Sequence, residues 1–337
     1  MLIRLSFYGI ILMFVSSFSL PVVGAELLPS NSEGCEYVLV GEIVSSDPDR
    51  LESMITSSPF ETLCLNSPGG SFVAGMKLAD IFMSDGIQTY VKAGDECYSA
   101  CAIAFLGGSI WGDLRHVSRT LEPGGKLGFH APYLALPKAE YNSEYVEGQF
   151  NNAIALTSFL ISQKVDLKIN DSFLTEFAFF HNDNNAVNTV ETVRDAAIVG
   201  LELNRYTKRK TLDTNSYLNA CSLLFNLYED YFTDRVTASR PYFSLEPSEW
   251  HPQIVNNSFE LYGQQKILVS SISEMDDYSN QTASCAFSPK PDWGGTFSVF
   301  MWSNVGPPIY ERATRELGIT IPDWYFLDAE TSLNSLR

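Results

Sequence analysis

Three short stretches carry residue types that together suit acyl transfer. In "CYSAC", Ser99 stands between Cys97 and Cys101, where a polar loop gives way to the apolar run "AIAFLGG". A serine hydroxyl becomes a nucleophile when a base takes its proton and backbone N–H groups stabilise the oxyanion that forms. Ser99 opens an expected helix, so the N–H of Ala100 falls in the first turn, where the helix dipole favours negative charge. An ordinary N-cap serine is the plain alternative, but the small Ala100 leaves room for a substrate carbonyl, which a cap does not need. In "LNSPGGS", Pro68 fixes one φ, and Gly69 and Gly70 open conformations closed to other residues. Free N–H groups at such a strand-to-helix turn can face a developing negative charge; a lone PGG would be only a turn. In "LGFHAPY", His130 ends a strand-like run, whereas His116, His181 and His251 occupy polar stretches. A lone histidine is usually structural or solvent-facing, and only the other two stretches raise His130 to a candidate base.

The surrounding pattern says which elements would hold these residues. "YVLVGEIV" reads as a strand, followed by a helix with Asp47 as N-cap and Pro48 at its first position. "ETLCLNSPGG" gives a second strand ending in the glycine turn. "SFVAGMKLADIFMSDG" has Phe72, Met76, Ala79 and Phe82 at helical spacing and closes at Gly86. "IQTYVKAG" is a third strand and "SACAIAFLGG" a further helix. The alternation predicts right-handed βαβ units, hence an α/β fold with a parallel sheet and outer helices. Further helices are expected over Tyr145–Gln163 and Ser172–Phe180, and "VETVRDAAIVGLEL" reads as a helix running into a strand.

At "NRYTKRKT" basic residues cluster in a polar linker, and the domain boundary is placed at residue 204. Beyond it, Tyr217, Cys221, Leu224, Tyr228 and Tyr231 repeat at helical spacing, an aromatic stripe that reads as core rather than a ligand box. Strand-like runs follow, so residues 205–337 are expected to form a smaller α+β accessory domain of unassigned role.

The 337-residue chain carries 22 basic against 40 acidic residues, for a formal net charge of -18. Phosphate backbones and anionic lipid would repel it, which disfavours nucleic acid as a partner. At the N-terminus Arg4 precedes an apolar stretch from Leu5 to Leu20, then Pro21 and Val23-Gly24-Ala25, the order of a secretory signal peptide over residues 1–25. No later window is apolar enough for a membrane span. The six cysteines, Cys35, Cys64, Cys97, Cys101, Cys221 and Cys285, are an even set suited to an oxidising compartment. No CxxC pair or nearby histidine favours a metal, so disulfides are expected. Sequence neighbourhood pairs Cys35 with Cys64, Cys97 with Cys101 and Cys221 with Cys285, although fifteen connectivities are formally open.

"LNSPGGSFVAGMKLADIF", "CYSAC" and "LGFHAPY", in this order, resemble the Clp/crotonase-type serine peptidases, and more closely their exported, periplasmic bacterial members. The resemblance covers residues 36–203 and implies repeated ββα units for the peptidase domain, placed at 26–204. It implies Ser99 as nucleophile, His130 as general base, and the N–H groups of Gly70 and Ala100 as the oxyanion hole. For the third triad member it implies Asp183, with Asn184 as the alternative, since an amide can orient a histidine without stabilising its charge. The flanking cysteines depart from the family pattern and would brace the nucleophile's turn. Relatives of this fold form rings or stacked assemblies, which leaves a homo-oligomer open. The leading expectation is an exported serine peptidase acting on peptides or proteins, with no cofactor and no metal. The runner-up is a catalytically silent binding or scaffold protein of the bacterial envelope on the same fold. A third reading, an acyl-CoA hydratase or isomerase, shares the oxyanion turn but is disfavoured by export.

Overall fold

The computed structural model describes residues 24–31, 33–130, 142–178, 187–208, 211–228, 251–261, 264–273, 281–292, 295–305 and 315–337. Most of the expected signal segment lies outside these residues. In chain order, β1 (Glu26–Pro29) and β2 (Tyr37–Val40) lead into α1 (Asp47–Ser57), β3 (Thr62–Asn66), α2 (Phe72–Asp85), β4 (Gln88–Val91), β5 (Glu96–Tyr98) and α3 (Ala100–Leu106). Next come the hairpin β6 (Ser109–Trp111) and β7 (Arg115–Val117), then β8 (Arg119–Leu121) and β9 (Lys126–Phe129). The long α4 (Ser143–Ser162) is followed by α5 (Asp171–Phe173), a π-helical turn over Leu174–Ala178, β10 (Asn188–Thr189), α6 (Val193–Val199) and β11 (Glu202–Leu203).

The architecture is mixed α/β. The main sheet runs β1-β2-β3-β4-β8-β11. Its strands β2, β3, β4, β8 and β11 pair in parallel, as the alternating pattern predicts, while β1 adds an antiparallel edge. A separate small sheet, β10-β9-β5, stands beside it. The expectation of a single parallel sheet is corrected in that respect, because strands of two to four residues carry too little alternation to announce themselves.

Local chemistry explains the helix ends. Ser71 caps α2 by accepting from the N–H of Ala74 at 3.3 Å, and Gly86 closes it at φ 74°. Asp47 is not the N-cap of α1, which is Ser46. Its buried carboxylate instead accepts from the N–H groups of Ala25 (3.1 Å) and Val44 (2.8 Å) and pairs with Arg50, so it is occupied in tying the chain before the helix. Of the helix expected over Ser172–Phe180, the described part is the short α5 followed by the π-turn, and Phe179 and Phe180 lie outside the described residues. α2 and α3 cross at backbone contact: a Cβ on Gly75 would stand 2.4 Å from the carbonyl oxygen of Ala100. Small residues at this crossing fix where α3 begins, and therefore where Ser99 sits.

One core lies between the main sheet and helices α1 to α6, with Leu39, Leu63, Leu65, Phe82, Phe105, Phe129 and Val193 at its centre. A second core joins α7 (Thr214–Leu227) to the antiparallel sheet β12 (His251–Leu261), β13 (Gln264–Ser273), β14 (Gln281–Phe287), β15 (Thr296–Val305) and β16 (Arg315–Pro322). Tyr217, Cys221 and Leu224 of the aromatic stripe are buried in it, while Tyr231 lies outside the described residues. The chain then returns: Trp324, Leu327, Leu333 and Leu336 pack into the first core. Three disulfides close the pairs expected from sequence neighbourhood, Cys35–Cys64, Cys97–Cys101 and Cys221–Cys285. Among the described residues no helix is long and apolar enough to cross a membrane.

Candidate active site

Ser99 sits alone between β5 and α3, on a strand-to-helix turn one residue long. Its N–H donates to the carbonyl of Gly128 on β9 at 3.0 Å, and its own carbonyl accepts from Ile103, the first bond of α3. Being held at both ends, it adopts φ 57° and ψ -121°, a conformation open to glycine and costly for serine, about 1–3 kcal/mol. Such outliers persist only where the surroundings over-determine them, and they cluster at functional sites. The disulfide between Cys97 and Cys101 spans the same turn with Cα atoms 5.2 Å apart, both cysteines fully buried.

The capping alternative is not realised. Ser71, Asn142, Asn170 and Thr192 each accept a hydrogen bond from their helix's first turn, whereas the Ser99 side chain accepts none. At its positive φ, Ser99 makes no side-chain bond to the N–H groups of its helix. The residue is half-buried.

The glycine turn lies directly against it. Ser67 and Cys97 form a parallel bridge, Ser67 donating to Glu96 at 2.7 Å and accepting from Tyr98 at 3.1 Å. Gly69 then passes so close that a Cβ there would stand 2.7 Å from the Cβ of Ser99 and 3.1 Å from the nitrogen of Ala100. Its φ of 101° also requires glycine. The Gly69 N–H is consumed by Ser67 Oγ at 3.1 Å. Ile43 donates to the carbonyl of Gly69 and accepts from the N–H of Ser71, a parallel bridge around Gly70. In that pattern Gly70 turns its own N–H away from Ile43, toward the side on which Ser99 lies. Ala100 is the first residue of α3, and its N–H is one of those a helix leaves without an internal acceptor.

His130 directly follows β9, which pairs in parallel with β5 in the register Tyr98 to Gly128. Ser99 and His130 thus leave the carboxyl ends of neighbouring strands, about 4.8 Å apart across the ladder. The imidazole meets the ring of Phe72, the first residue of α2, edge to face at 5.7 Å between centroids. The structure therefore brings Gly69, Gly70, Ser99, Ala100 and His130 to one edge of the fold. Asp183 and Asn184 lie outside the described residues. β10 re-enters soon after them and pairs antiparallel with β9, setting Asn188 opposite Phe129 beside His130.

Sequence reasoning missed Arg119. It is fully buried and donates to the carbonyls of Leu106, Leu167 and Gly200 at 3.0–3.2 Å, clamping the carboxyl end of α3 to the ends of two other segments. Burial lowers the guanidinium pKa to about 10. An arginine in a three-residue strand gives no signal of this; only its position below a helix C-terminus makes the role sensible. Among the described residues no cluster of histidine, cysteine, aspartate or glutamate has the grouping of a metal site. A cavity of about 1140 Å³ lies elsewhere, lined by β11, Tyr206 and the Asp323–Tyr325 turn. No known family model matches the chain, and no curated protein matches it.

Proposed function

We propose that this chain is an exported serine peptidase of the Clp/crotonase type, with Ser99 as nucleophile. The observation that carries the reading is the Ser99 turn: a serine held in a glycine-like conformation, its hydroxyl not capping its helix, beside the glycine turn and the first N–H of α3. The finer fold assignment, repeated ββα units over 26–204, belongs to the same proposal and is supported by the order of the three motifs. Three disulfides and the signal-like N-terminus support export.

In this mechanism a peptide carbonyl sits over Ser99 with its oxygen toward the N–H groups of Gly70 and Ala100. Ser99 Oγ bonds to the carbonyl carbon while His130 takes its proton, and the two N–H groups hold the oxyanion. His130 returns the proton to the leaving amine as the C–N bond breaks. Water, deprotonated by His130, then cleaves the acyl ester and regenerates Ser99. Asp183, or Asn184, orients the imidazole. Peptides or proteins are the substrate class, and no cofactor takes part in these steps.

The test is covalent labelling of the disulfide-bonded mature protein with a fluorophosphonate probe, the modified residue being mapped by mass spectrometry. Wild type is expected to label at Ser99 alone and Ser99→Ala not at all; equal labelling of both sinks the proposal. The second reading is a silent scaffold that keeps the fold. Labelling decides between the two: a folded wild type that never reacts at Ser99 establishes the scaffold.

A further inference from the structure

The cavity of about 1140 Å³ lies on the seam between the two cores. The turn after α4, β11 and residues 204–208 line it from the side of the first core, while Tyr228 at the end of α7, Thr296, Thr320 and the turn at residues 323–325 line it from the other. Its size suits a small-molecule ligand, and Tyr206, Tyr228, Trp324 and Tyr325 give it aromatic walls.

Two buried donors and one exposed cation on these walls call for an acceptor that carries negative charge. Arg119 is 1 % exposed and has no carboxylate partner among the described residues. Three of its five N–H groups go to the carbonyls of Leu106, Leu167 and Gly200, which soften the charge without neutralising it. A cation buried in that state is costly unless an anion stands near it. Trp324, also 1 % exposed, keeps a buried indole N–H that reaches no acceptor among the described residues, a rare condition in a folded protein. Lys168 is exposed and pairs with no acid among the described residues. It lies close to Arg119: a Cβ on Gly200 would stand 2.9 Å from the guanidinium and 3.8 Å from the Lys168 carbonyl. Charge balance agrees. Five basic and three acidic side chains line the cavity, in a chain with 22 basic against 40 acidic residues. Asp171 is committed to Lys164, Asp323 to the Tyr206 hydroxyl and, at 3.7 Å, to Lys208, and Arg205 to Glu33 and Glu122. Arg119 and Lys168 are left against Glu202.

We propose that this cavity binds a small organic anion with an aromatic body, its acid group facing Arg119 and Lys168 and its ring held among the tyrosines of the opposite wall. Binding there is independent of any activity at Ser99.

Fluorescence titration of the disulfide-bonded mature chain with 8-anilinonaphthalene-1-sulfonate is expected to show a single saturable site of micromolar affinity. N-phenyl-1-naphthylamine, the same ring system without the sulfonate, should bind at least about tenfold more weakly. Lys168→Glu should weaken the sulfonate about fivefold and leave the amine unchanged. Thr320→Trp, which fills the cavity from the other side, should weaken both probes at least about tenfold. Lys77→Glu, an equal change of net charge on α2 and away from the cavity, should weaken neither. All three substituted side chains are exposed, and circular dichroism checks each fold. The proposal is overturned by the lack of a saturable site, by equal affinity for the two probes, by equal effects of Lys168→Glu and Lys77→Glu, or by indifference to Thr320→Trp.

Discussion

Ser99 holds a backbone conformation that glycine adopts freely, so its side chain is kept at an energetic cost. The consequence is measurable. Ser99→Gly relieves the positive-φ strain but gains chain entropy in the unfolded state, whereas Ser99→Ala keeps the strain. Ser99→Gly should therefore be the more stable of the two, by about 1 kcal/mol in urea unfolding under oxidising conditions, while neither variant takes the fluorophosphonate label. A Ser99→Gly protein no more stable than Ser99→Ala would show that the turn is not strained and remove the main support for the site. The identity of Ser99 as a candidate was legible because its chemistry is written in residue types: a serine after a glycine turn and before a histidine. Its conformation was not. A serine before an apolar run reads equally as a cap, and what excludes the cap is a dihedral set by the pairing of Ser99 with Gly128, a contact distant in sequence.

The elements divide according to how much of their signal is local. α2 announces itself through Ser71, its periodic apolar residues and Gly86, and it forms where expected. β5, β9 and β10 are three, four and two residues long, and only their pairing with each other makes them strands. The sheet that aligns Ser99 with His130 was therefore the least legible part of the site. Such a small sheet has little stability of its own, which gives the Cys97–Cys101 disulfide its role of joining β5 to the first turn of α3. The two bridges tested in isolation should separate stability from site geometry. Cys97→Ala with Cys101→Ala opens a loop of sequence separation 4 and should cost about 2 kcal/mol, with a larger loss in Ser99 labelling rate than the folded fraction explains. Cys221→Ala with Cys285→Ala, separation 64 and joining α7 to β14, should cost about 4 kcal/mol yet leave the labelling rate of folded molecules unchanged. Equal effects on labelling would mean that the short bridge does not position the nucleophile.

At the scale of the whole molecule, texture alone drew attention to residue 204, where basic and polar residues interrupt the apolar pattern. Nothing in "DWYFLDAETSLNSLR" indicates where that tail goes, because its apolar residues would suit any core. In the structure it closes the first one. Val193 and Arg194 at the start of α6 donate to the carbonyls of Thr331 and Ala329, Leu333 donates to Glu191, and Thr207 donates to Leu336. Arg337 reaches the carbonyl of Pro123 at 3.0 Å. Trp324, Leu327, Leu333 and Leu336 are each at most 7 % exposed within a core otherwise made by residues before 224. Exposing four such side chains costs on the order of 6–10 kcal/mol, comparable to the whole stability of an ordinary domain. Residues 26–204 expressed alone should therefore fail to unfold cooperatively, and a chain ending at Pro322 should melt far below the full-length protein even though it keeps α7 and the antiparallel sheet. Calorimetry on the three chains decides the matter. If 26–204 alone melts cooperatively within a few degrees of the full chain, the tail merely rests on the first core; if only the full chain does, the last fifteen residues are part of the scaffold that holds α6, and with it the return of the chain to His130.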